Sequence, residues 1–333
     1  MKRITSYIFK FIIPLAFGVG LMWYIYSKLN MEEVGKILQY DINYWWIFLS
    51  GVIGLLSHIV RALRWKIQLK ALPANPSMRV LTNAIFGTYA VNLILPRVGE
   101  VWRCAYVAQS EDKSFIKVVG SMISERLTDT LTVITITIIT FFLQLDVLKE
   151  ILNNNPSIKE GIVNIITSPA LYSVIAVGII ALVWLFRFKS ENTLIVKIKE
   201  MVNNLINGFK TIFKMEKKGL FLFYTILMWF LYFVELYVCF FAFKQTESLG
   251  IVCAFSCFLM GSIGMGVPVQ GGLGPWHWAV IAVLTLYGLN NDTAGAFALV
   301  AHGAQLIMTI LIGVYTFISI SLYKKRGKEV NNS

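Results

Sequence analysis

The distribution of apolar residues constrains this chain more than any other feature of its sequence. They are gathered into runs of about 20 residues, the length that an α-helix needs to cross about 30 Å of hydrocarbon. Of the 333 residues, 57% are hydrophobic and only 14% are charged, whereas soluble domains carry about 25% charged residues. We therefore predict an all-α integral membrane protein.

Eight apolar segments predict transmembrane helices. They cover about 8–27, 44–61, 118–145, 169–187, 220–243, 250–268, 273–288 and 294–322. The first of them follows basic residues but ends without a small-residue cleavage site, so we expect an uncleaved span rather than a signal peptide. Together they predict a single transmembrane domain over residues 1–323.

Loop charges predict the orientation. The connection from Arg61 to Arg79 is basic and free of acidic residues, and the stretch from Arg187 to Lys218 carries eight basic and three acidic residues. Basic loops stay on the cytoplasmic side. We expect both termini there, in the cell inner (cytoplasmic) membrane, with residues 324–333 as a short basic tail.

The segment at about 80–110 is predicted to be a re-entrant hairpin. If it crossed the bilayer, every later loop would change sides and the basic stretch would lie outside. We expect a turn at Pro96 to Gly99, shielded by protein or lining a wet cavity. Residues 195–215 place apolar side chains at helical spacing, which predicts an amphipathic interfacial helix.

A Pro-x-x-Gly pattern interrupts two apolar segments. It occurs at Pro96–Gly99 and again at Pro268–Gly271, where Gly272 and Gly274 follow. Paired breaks in the two halves of a membrane protein suggest a two-fold pseudo-repeat and a midplane site, because broken helices present N-termini that bind phosphate. The alternative is that both prolines make ordinary kinks, whose backbone groups neighbouring helices satisfy.

Charged residues surround the first break. Glu100 is spaced to pair with either Arg97 or Arg103, which leaves one guanidinium for a phosphate, a group that arginine grips with two hydrogen bonds. These three residues are the leading candidates for a binding site.

Other ionisable residues lie within or at the ends of predicted spans. Glu125 and Asp129 share a helix face, and Arg126 is spaced to meet Asp129; the alternative for all three is a position at the interface. Glu235 and His302 lie in apolar surroundings, where a structural hydrogen bond and a substrate contact are both open.

Four motifs carry a resemblance to a known family. They are Arg61-Ala62-Leu63-Arg64-Trp65, Pro96-Arg97-x-Gly99-Glu100-x-x-Arg103, Glu125-Arg126-x-x-Asp129, and Pro268 with Gly271-Gly272-Leu273-Gly274. In this order they resemble the lysylphosphatidylglycerol synthase transmembrane region family, also called flippase-like membrane proteins. The resemblance implies a transporter-like bundle that moves a lipid-linked headgroup between leaflets.

The chain departs from that family at two points. Members commonly carry a glutamate where this chain has His277, in Gly274-Pro275-Trp276-His277-Trp278. We also expect the appended aminoacyl-transferase domain of the family to be absent.

The leading hypothesis is a lipid flippase for a phospholipid or polyprenyl-phosphate headgroup. The candidate substrate-binding residues are Arg97, Gly99, Glu100, Arg103, Glu125, Arg126, Asp129, Pro268, Gly271, Gly272, Gly274 and His277, with Arg64, Glu235 and His302 as further candidates. No catalytic motif is present, so we expect no catalytic residues, metal or cofactor. We expect membrane lipids rather than nucleic acid as partners.

Two alternatives remain. The chain could be a membrane-embedded enzyme of lipid or glycolipid assembly, with its acidic residues as acid/base groups. It could also be an accessory subunit that holds a synthase or glycosyltransferase partner at the membrane.

Overall fold

A computed structural model of the chain describes residues 11–70, 72, 74–143, 145, 156–187, 196, 199 and 215–331. It is 85% helical and, across these residues, contains no strand, although Ile42 and Phe243 form an isolated antiparallel bridge. The predicted all-α membrane class is confirmed.

Thirteen α-helices and one 3-10 helix make up the described fold. They are α1 (Ile13–Tyr26), α2 (Met31–Tyr40), α3 (Tyr44–Lys70), α4 (Met78–Ile94), α5 (Val98–Ser110), α6 (Phe115–Leu143), α7 (Pro156–Thr167), α8 (Pro169–Arg187), α9 (Lys218–Phe240), α10 (Lys244–Glu247), α11 (Gly250–Gly264), the 3-10 helix Gln270–Gly272, α12 (Pro275–Leu286) and α13 (Asn291–Asn331).

Four of the described helices are long and apolar enough to cross a membrane alone. These are α3, α6, α9 and the Asn291–Tyr323 part of α13. Shorter apolar helices accompany them at Ile13–Tyr26, Pro169–Gly178 and Gly250–Gly264. The chain is therefore a multi-pass membrane protein, while the count of eight spans stays a prediction.

The chain divides into two compact units. Residues 1–126 and 215–333 form the first, and residues 127–214 form the second. The second unit contains the later part of α6 with α7 and α8. The predicted interfacial helix at 195–215 lies outside the described residues, apart from isolated positions.

The first unit contains two helical hairpins with interrupted backbone. Helices α4 and α5 pack against each other across the first break, as α11 and α12 do across the second. Their lengths are 17 and 13 residues in one hairpin and 15 and 12 in the other, short of the roughly 20 needed for a crossing. Each hairpin lies between two long helices, so the element order repeats, as the paired Pro-x-x-Gly patterns predict.

The second hairpin differs from its predicted form. Segments 250–268 and 273–288 were expected to be two full spans, but the helix stops at Gly264 and restarts only at Pro275. Pro275 occupies the first helical turn, where a missing N–H costs nothing. Gly271, Gly272 and Gly274 between the two helices have positive φ, which a helix excludes, so the apolar run is longer than the helices inside it.

Local capping sets the start of the first hairpin. Ser77 accepts a hydrogen bond from the backbone N–H of Val80 and so caps α4. Behind it lies a core shared by α3, α4, α5 and the start of α6, in which Trp65, Leu81 and Val107 are fully buried. This core fixes the helices that carry the charged residues.

Three further expectations need correction or extension. The predicted connection at 28–41 contains helix α2, capped by the Asn30 side chain. Arg61 and Arg64 were expected in a basic loop, but they lie buried inside α3, which continues to Lys70. The predicted tail begins as a continuation of α13, which ends at Asn331.

Candidate functional site

A single buried carboxylate holds four arginine side chains together. Oε1 of Glu125 lies 2.8 Å from Nε of Arg61, 3.1 Å from Nη2 of Arg64 and 3.2 Å from Nη2 of Arg126. Oε2 lies 2.8 Å from Nη2 of Arg103. We call these five residues the arginine cluster. Helices α3, α5 and α6 supply its members, so three separate segments of sequence converge on one charge.

Most of the arginine cluster is excluded from solvent. The side chains of Arg64, Arg103 and Glu125 are 0% exposed and that of Arg61 is 8% exposed, whereas Arg126 is 35% exposed. A buried charge without a partner costs several kcal/mol, and Glu125 is a partner that all four guanidinium groups share. Arg126 is the most exposed member.

Trp65 packs against the arginine cluster. Its ring lies 4.5 Å from Cζ of Arg103 and is fully buried, which adds a cation–π attraction. Its indole N–H donates to Oγ of Ser121 at 3.0 Å, one helical turn before Glu125. The indole therefore fixes the distance between α3 and α6 next to the arginine cluster.

A line of polar side chains extends from the cluster toward α9. Arg61 donates to the hydroxyl of Tyr89 on α4, and that hydroxyl lies 3.1 Å from the hydroxyl of Tyr232 on α9. The ring of His58 stacks on Tyr89 with centroids 4.2 Å apart. Together with the cluster, five helices thus share one polar interior: α3, α4, α5, α6 and α9.

The first break is held by a side chain rather than by helix hydrogen bonds. Oδ1 of Asn92 accepts from the backbone N–H of Gly99 at 2.8 Å, and its Nδ2 donates to Glu100 at 3.3 Å. A Cβ at Gly99 would collide with the carbonyl of Thr88, so α5 begins where only glycine fits. Arg97 takes a left-handed conformation with φ 66°. Asn92 therefore closes the turn from α4 into α5.

The expected pairing around this break is rearranged. Glu100 bonds to Asn92, and Arg103 turns away from the break to meet Glu125. The physical reason lies in the helix geometry, since Glu100 lies in the first turn of α5 against α4, whereas Arg103 belongs to the face that packs on Trp65. Arg103 thus joins the arginine cluster rather than the turn.

The second break is built from glycines with positive φ. Gly271, Gly272 and Gly274 have φ of 57°, 76° and 89°, a region open to glycine and strained for other residues. A short 3-10 turn, Gln270–Gly272, lies between α11 and α12, and Pro268 precedes it at an exposed position.

The two breaks contact each other. Arg97 donates from Nη2 to the backbone carbonyl of Gly266, next to the second break. A Cβ at Gly271 would lie 2.8 Å from Cδ2 of Leu93 and 3.0 Å from Cδ2 of Leu306, which shows how closely the 3-10 turn approaches α4 and α13. The structure therefore brings together the two segments that the sequence singled out.

A pair of buried imidazoles lies beside the second break. His277 and His302 are 2% and 1% exposed, with ring centroids 4.6 Å apart. Nε2 of His302 lies 3.0 Å from the carbonyl oxygen of Gly271, and Trp276 stacks on His302. These contacts are with rings and backbone, so this region differs chemically from the arginine cluster.

Two further predicted site residues lie on α6 and α9. Asp129 follows Glu125 by one turn of α6. Glu235 is buried on α9 against Gly54 of α3, where a Cβ would clash with its carboxylate. The glycine therefore lets the two long helices approach at this carboxylate.

Sequence reasoning missed Arg61, Trp65, Tyr89 and Asn92 as site residues. A signal for the first two was present, because Arg61 and Arg64 are spaced to share a helix face and are flanked by apolar residues on both sides. Treating them as loop charges hid that spacing. No local pattern marks Tyr89 or Asn92.

A family comparison decides where the chain belongs. The family model described as "Lysylphosphatidylglycerol synthase TM region" matches residues 11–313. The chain belongs to this family. Searches of curated proteins and of solved structures found no match.

The match to the lysylphosphatidylglycerol synthase TM region covers both breaks and the whole arginine cluster. Membership of this family indicates a function related to membrane lipids. Within the described residues, no group of three or more His, Cys, Asp or Glu side chains is placed to hold a metal ion.

Proposed function

We propose that this family member is a lipid translocase that moves a phosphate-bearing headgroup, of a phospholipid or a polyprenyl phosphate, between leaflets. The observation that carries the proposal is Arg103, a fully buried member of the arginine cluster whose Nε and Nη1 have no hydrogen-bond partner. We place the protein in the cytoplasmic membrane with both termini inside, because Lys66, Lys70 and Arg79 still make that connection basic.

The composition of the cluster favours an anionic ligand. Four arginines surround one carboxylate, that of Glu125. Cations in apolar surroundings are stable only with counter-charges or hydrogen-bond acceptors. A phosphate supplies both, in the geometry that guanidinium groups bind best.

Arg103 is the clearest candidate for a phosphate ligand. Its side chain is fully buried, its Nη2 lies against Glu125, and its Nε and Nη1 have no hydrogen-bond partner. A buried donor left unsatisfied costs about 1–3 kcal/mol. A phosphate oxygen in front of these two atoms removes that cost.

In this proposal, Glu125 is the anion that the arginines bind when no phosphate is present. It holds the guanidinium groups in place when no headgroup is present, and it competes with the headgroup for them. Such competition keeps binding weak enough for release, which a translocation site needs because a tightly held headgroup would not leave. Arg126, the most exposed member, makes the first contact.

The test is a leaflet-resolved transport assay in proteoliposomes. The probe is phosphatidylglycerol with a fluorescent acyl chain in phosphatidylcholine vesicles, with outer-leaflet fluorescence removed by a membrane-impermeant reductant. We expect Arg103→Gln and Arg126→Gln each to slow exchange about tenfold, the effect of losing one charge-assisted hydrogen bond. Arg187→Gln, at an exposed arginine at the end of α8, is the matched control and should exchange normally.

Thermal unfolding of each variant in the same lipid separates loss of function from loss of fold. Normal exchange in correctly folded Arg103→Gln and Arg126→Gln proteins would remove the arginine cluster from the transport path. A wild-type rate equal to that of protein-free vesicles would remove translocation of this lipid altogether.

A further inference from the structure

We propose that the groove between α4 and α13 is a binding site for one anionic phospholipid, with its phosphate at Arg79 and an acyl chain lying along the groove toward the first break. This site shares no residue with the arginine cluster, and its occupancy does not depend on translocation.

The groove has the size and lining that a hydrocarbon chain needs. Its volume is about 530 Å³, and its lining is aliphatic and aromatic, with Ala90 and Ile94 on α4 facing Gly313, Val314 and Phe317 on α13. A Cβ at Gly313 would lie 2.7 Å from Cβ of Ala90. Two small residues therefore form the floor of the groove, while large exposed side chains form its walls.

The surroundings of the groove favour a lipid as its occupant. The α13 residues that line it belong to the Asn291–Tyr323 segment, which is long and apolar enough to cross a membrane. Val314 and Ile94 are 54% and 62% exposed. Exposed apolar walls in a spanning helix face hydrocarbon, so an acyl chain fills the groove without desolvating any polar group.

A polar pocket lies at the other end of the same two helices. Arg79 is exposed in the first turn of α4, and it donates from Nε and Nη2 to the hydroxyl and carbonyl oxygens of Ser319 at 3.3 and 3.0 Å. Its guanidinium carbon lies 5.0 Å from the ring centre of Tyr323. Tyrosine and arginine at the end of a spanning helix mark the headgroup level of a bilayer.

Asn83 adds a second feature that calls for a ligand. It lines this pocket, is 1% exposed and donates to Oγ of Ser319 at 3.1 Å. Its carbonyl oxygen Oδ1 has no hydrogen-bond partner. A headgroup hydroxyl can donate to that oxygen while the phosphate accepts from Arg79, which favours a hydroxyl-bearing anionic headgroup over a choline headgroup.

Aromatic rings connect the pocket to the groove. Phe317 lines the groove and meets Trp102 edge to face at 6.0 Å, Trp102 stacks on Tyr106 at 5.5 Å, and Tyr106 lines the pocket. The rings form a continuous apolar wall along which a glycerol backbone and the start of a chain can lie.

The length of α4 matches one leaflet. Fifteen residues separate Arg79 from Ile94, which corresponds to about 22 Å of helix. Half of a bilayer with its headgroup regions measures about 20–22 Å. A lipid with its phosphate at Arg79 therefore ends its chain beside the first break.

Photolabelling in nanodiscs tests the proposal. Phosphatidylglycerol or phosphatidylcholine with a photoreactive acyl chain is added at low mole fraction to phosphatidylcholine nanodiscs, and labelled peptides are mapped by mass spectrometry. We expect phosphatidylglycerol adducts to concentrate on residues 90–94 and 310–318, several-fold above those of phosphatidylcholine. This comparison uses the wild-type protein and so does not depend on the folding of any variant.

Two variants with matched controls test where the acyl chain and the phosphate of the lipid bind. Val314→Trp fills the groove and should lower its labelling about fivefold, whereas Ile307→Trp, at a 61% exposed position of the same helix, should leave it unchanged. Arg79→Gln should lower phosphatidylglycerol labelling about three- to tenfold and phosphatidylcholine labelling less, while Arg187→Gln changes neither.

Adducts spread evenly over the lipid-facing helices, or groove labelling that Val314→Trp leaves intact, would overturn the proposal. Equal labelling by the two lipids that Arg79→Gln does not change would overturn it as well. The groove would then bind acyl chains without distinguishing the headgroup. Normal transport rates in these variants would leave the lipid site standing, and loss of transport without loss of labelling would bear only on the proposed function.

Discussion

The two interrupted hairpins have similar backbones but opposite chemistry. The α4–α5 hairpin carries Arg103 into a cluster of four guanidinium groups and one carboxylate, whereas the α11–α12 hairpin places His277 and His302 among aromatic rings and a backbone carbonyl. Both have short helices, a break, and a long helix on each side.

The two hairpins therefore repeat the arrangement of the backbone but not the charged side chains. The first hairpin concentrates the electrostatics that an anionic headgroup needs, and the second packs a neutral turn against it through Gly271. If both hairpins carried charge, repulsion between like charges would oppose their contact. The asymmetry therefore allows the hairpin that carries the charges to pack against an uncharged turn.

The largest effect should come from removing the central carboxylate. Glu125→Gln leaves the buried guanidinium groups without their shared anion, so we expect a loss of about 3–5 kcal/mol in the free energy of unfolding. Titration with a denaturing detergent in mixed micelles measures it. Glu32→Gln, at a 79% exposed side chain of α2, is the control and should change stability by less than about 0.5 kcal/mol. A small loss for Glu125→Gln would contradict the idea that this residue organises the cluster.

The contact between the breaks should give the next largest effect. Gly271→Ala introduces strain at φ 57° and a clash with Leu93 and Leu306, so we expect a loss of about 2–3 kcal/mol. Gly288→Ala has the same kind of strain at φ 87° but open space around its Cβ, so it should lose only about 1 kcal/mol. The difference between the two variants, measured in the same micelles, is the cost of separating the hairpins. Equal losses would mean that they do not touch.

Removing a cation should cost less than removing the anion. In Arg103→Gln, Glu125 keeps three other arginines, so no buried charge is left without a partner. We expect a loss of only about 1–2 kcal/mol in the free energy of unfolding. The double variant with Glu125→Gln completes a cycle that measures their coupling. If Arg103→Gln costs as much as Glu125→Gln, the charge of Arg103 is needed to balance Glu125, and the argument for an anionic ligand at Arg103 fails.

These comparisons also separate what the sequence could predict from what it could not. Apolar runs predicted the membrane class, and Pro96 and Pro268 located both breaks, because the effects of proline and glycine on a helix are local. Burial of Arg61 and Arg64 depends on Glu125, which is 64 and 61 positions away. No local window contains that partner, so both arginines were counted as loop charges, although Arg64 was also one of the further site candidates. The short helices of the second hairpin escaped prediction because the apolar runs on either side of the break extend beyond the helices inside them.

The smallest effect concerns Arg97, whose hydrogen bond to Gly266 joins the two breaks from an exposed position with φ 66°. Arg97→Ala and Arg97→Gly both remove that bond, but only alanine retains the left-handed strain, so the glycine variant should be more stable by about 1 kcal/mol. Asp112, with φ 50°, offers the same pair of substitutions outside the breaks and should give the same difference in mixed-micelle unfolding.

If Arg97→Gly matches the wild type while Arg97→Ala falls below it, strain relief offsets the lost bond, and the link between the hairpins then rests on the packing of Gly271. If both Arg97 variants fall equally, the strain at the first break is negligible and the Arg97 bond itself carries the link.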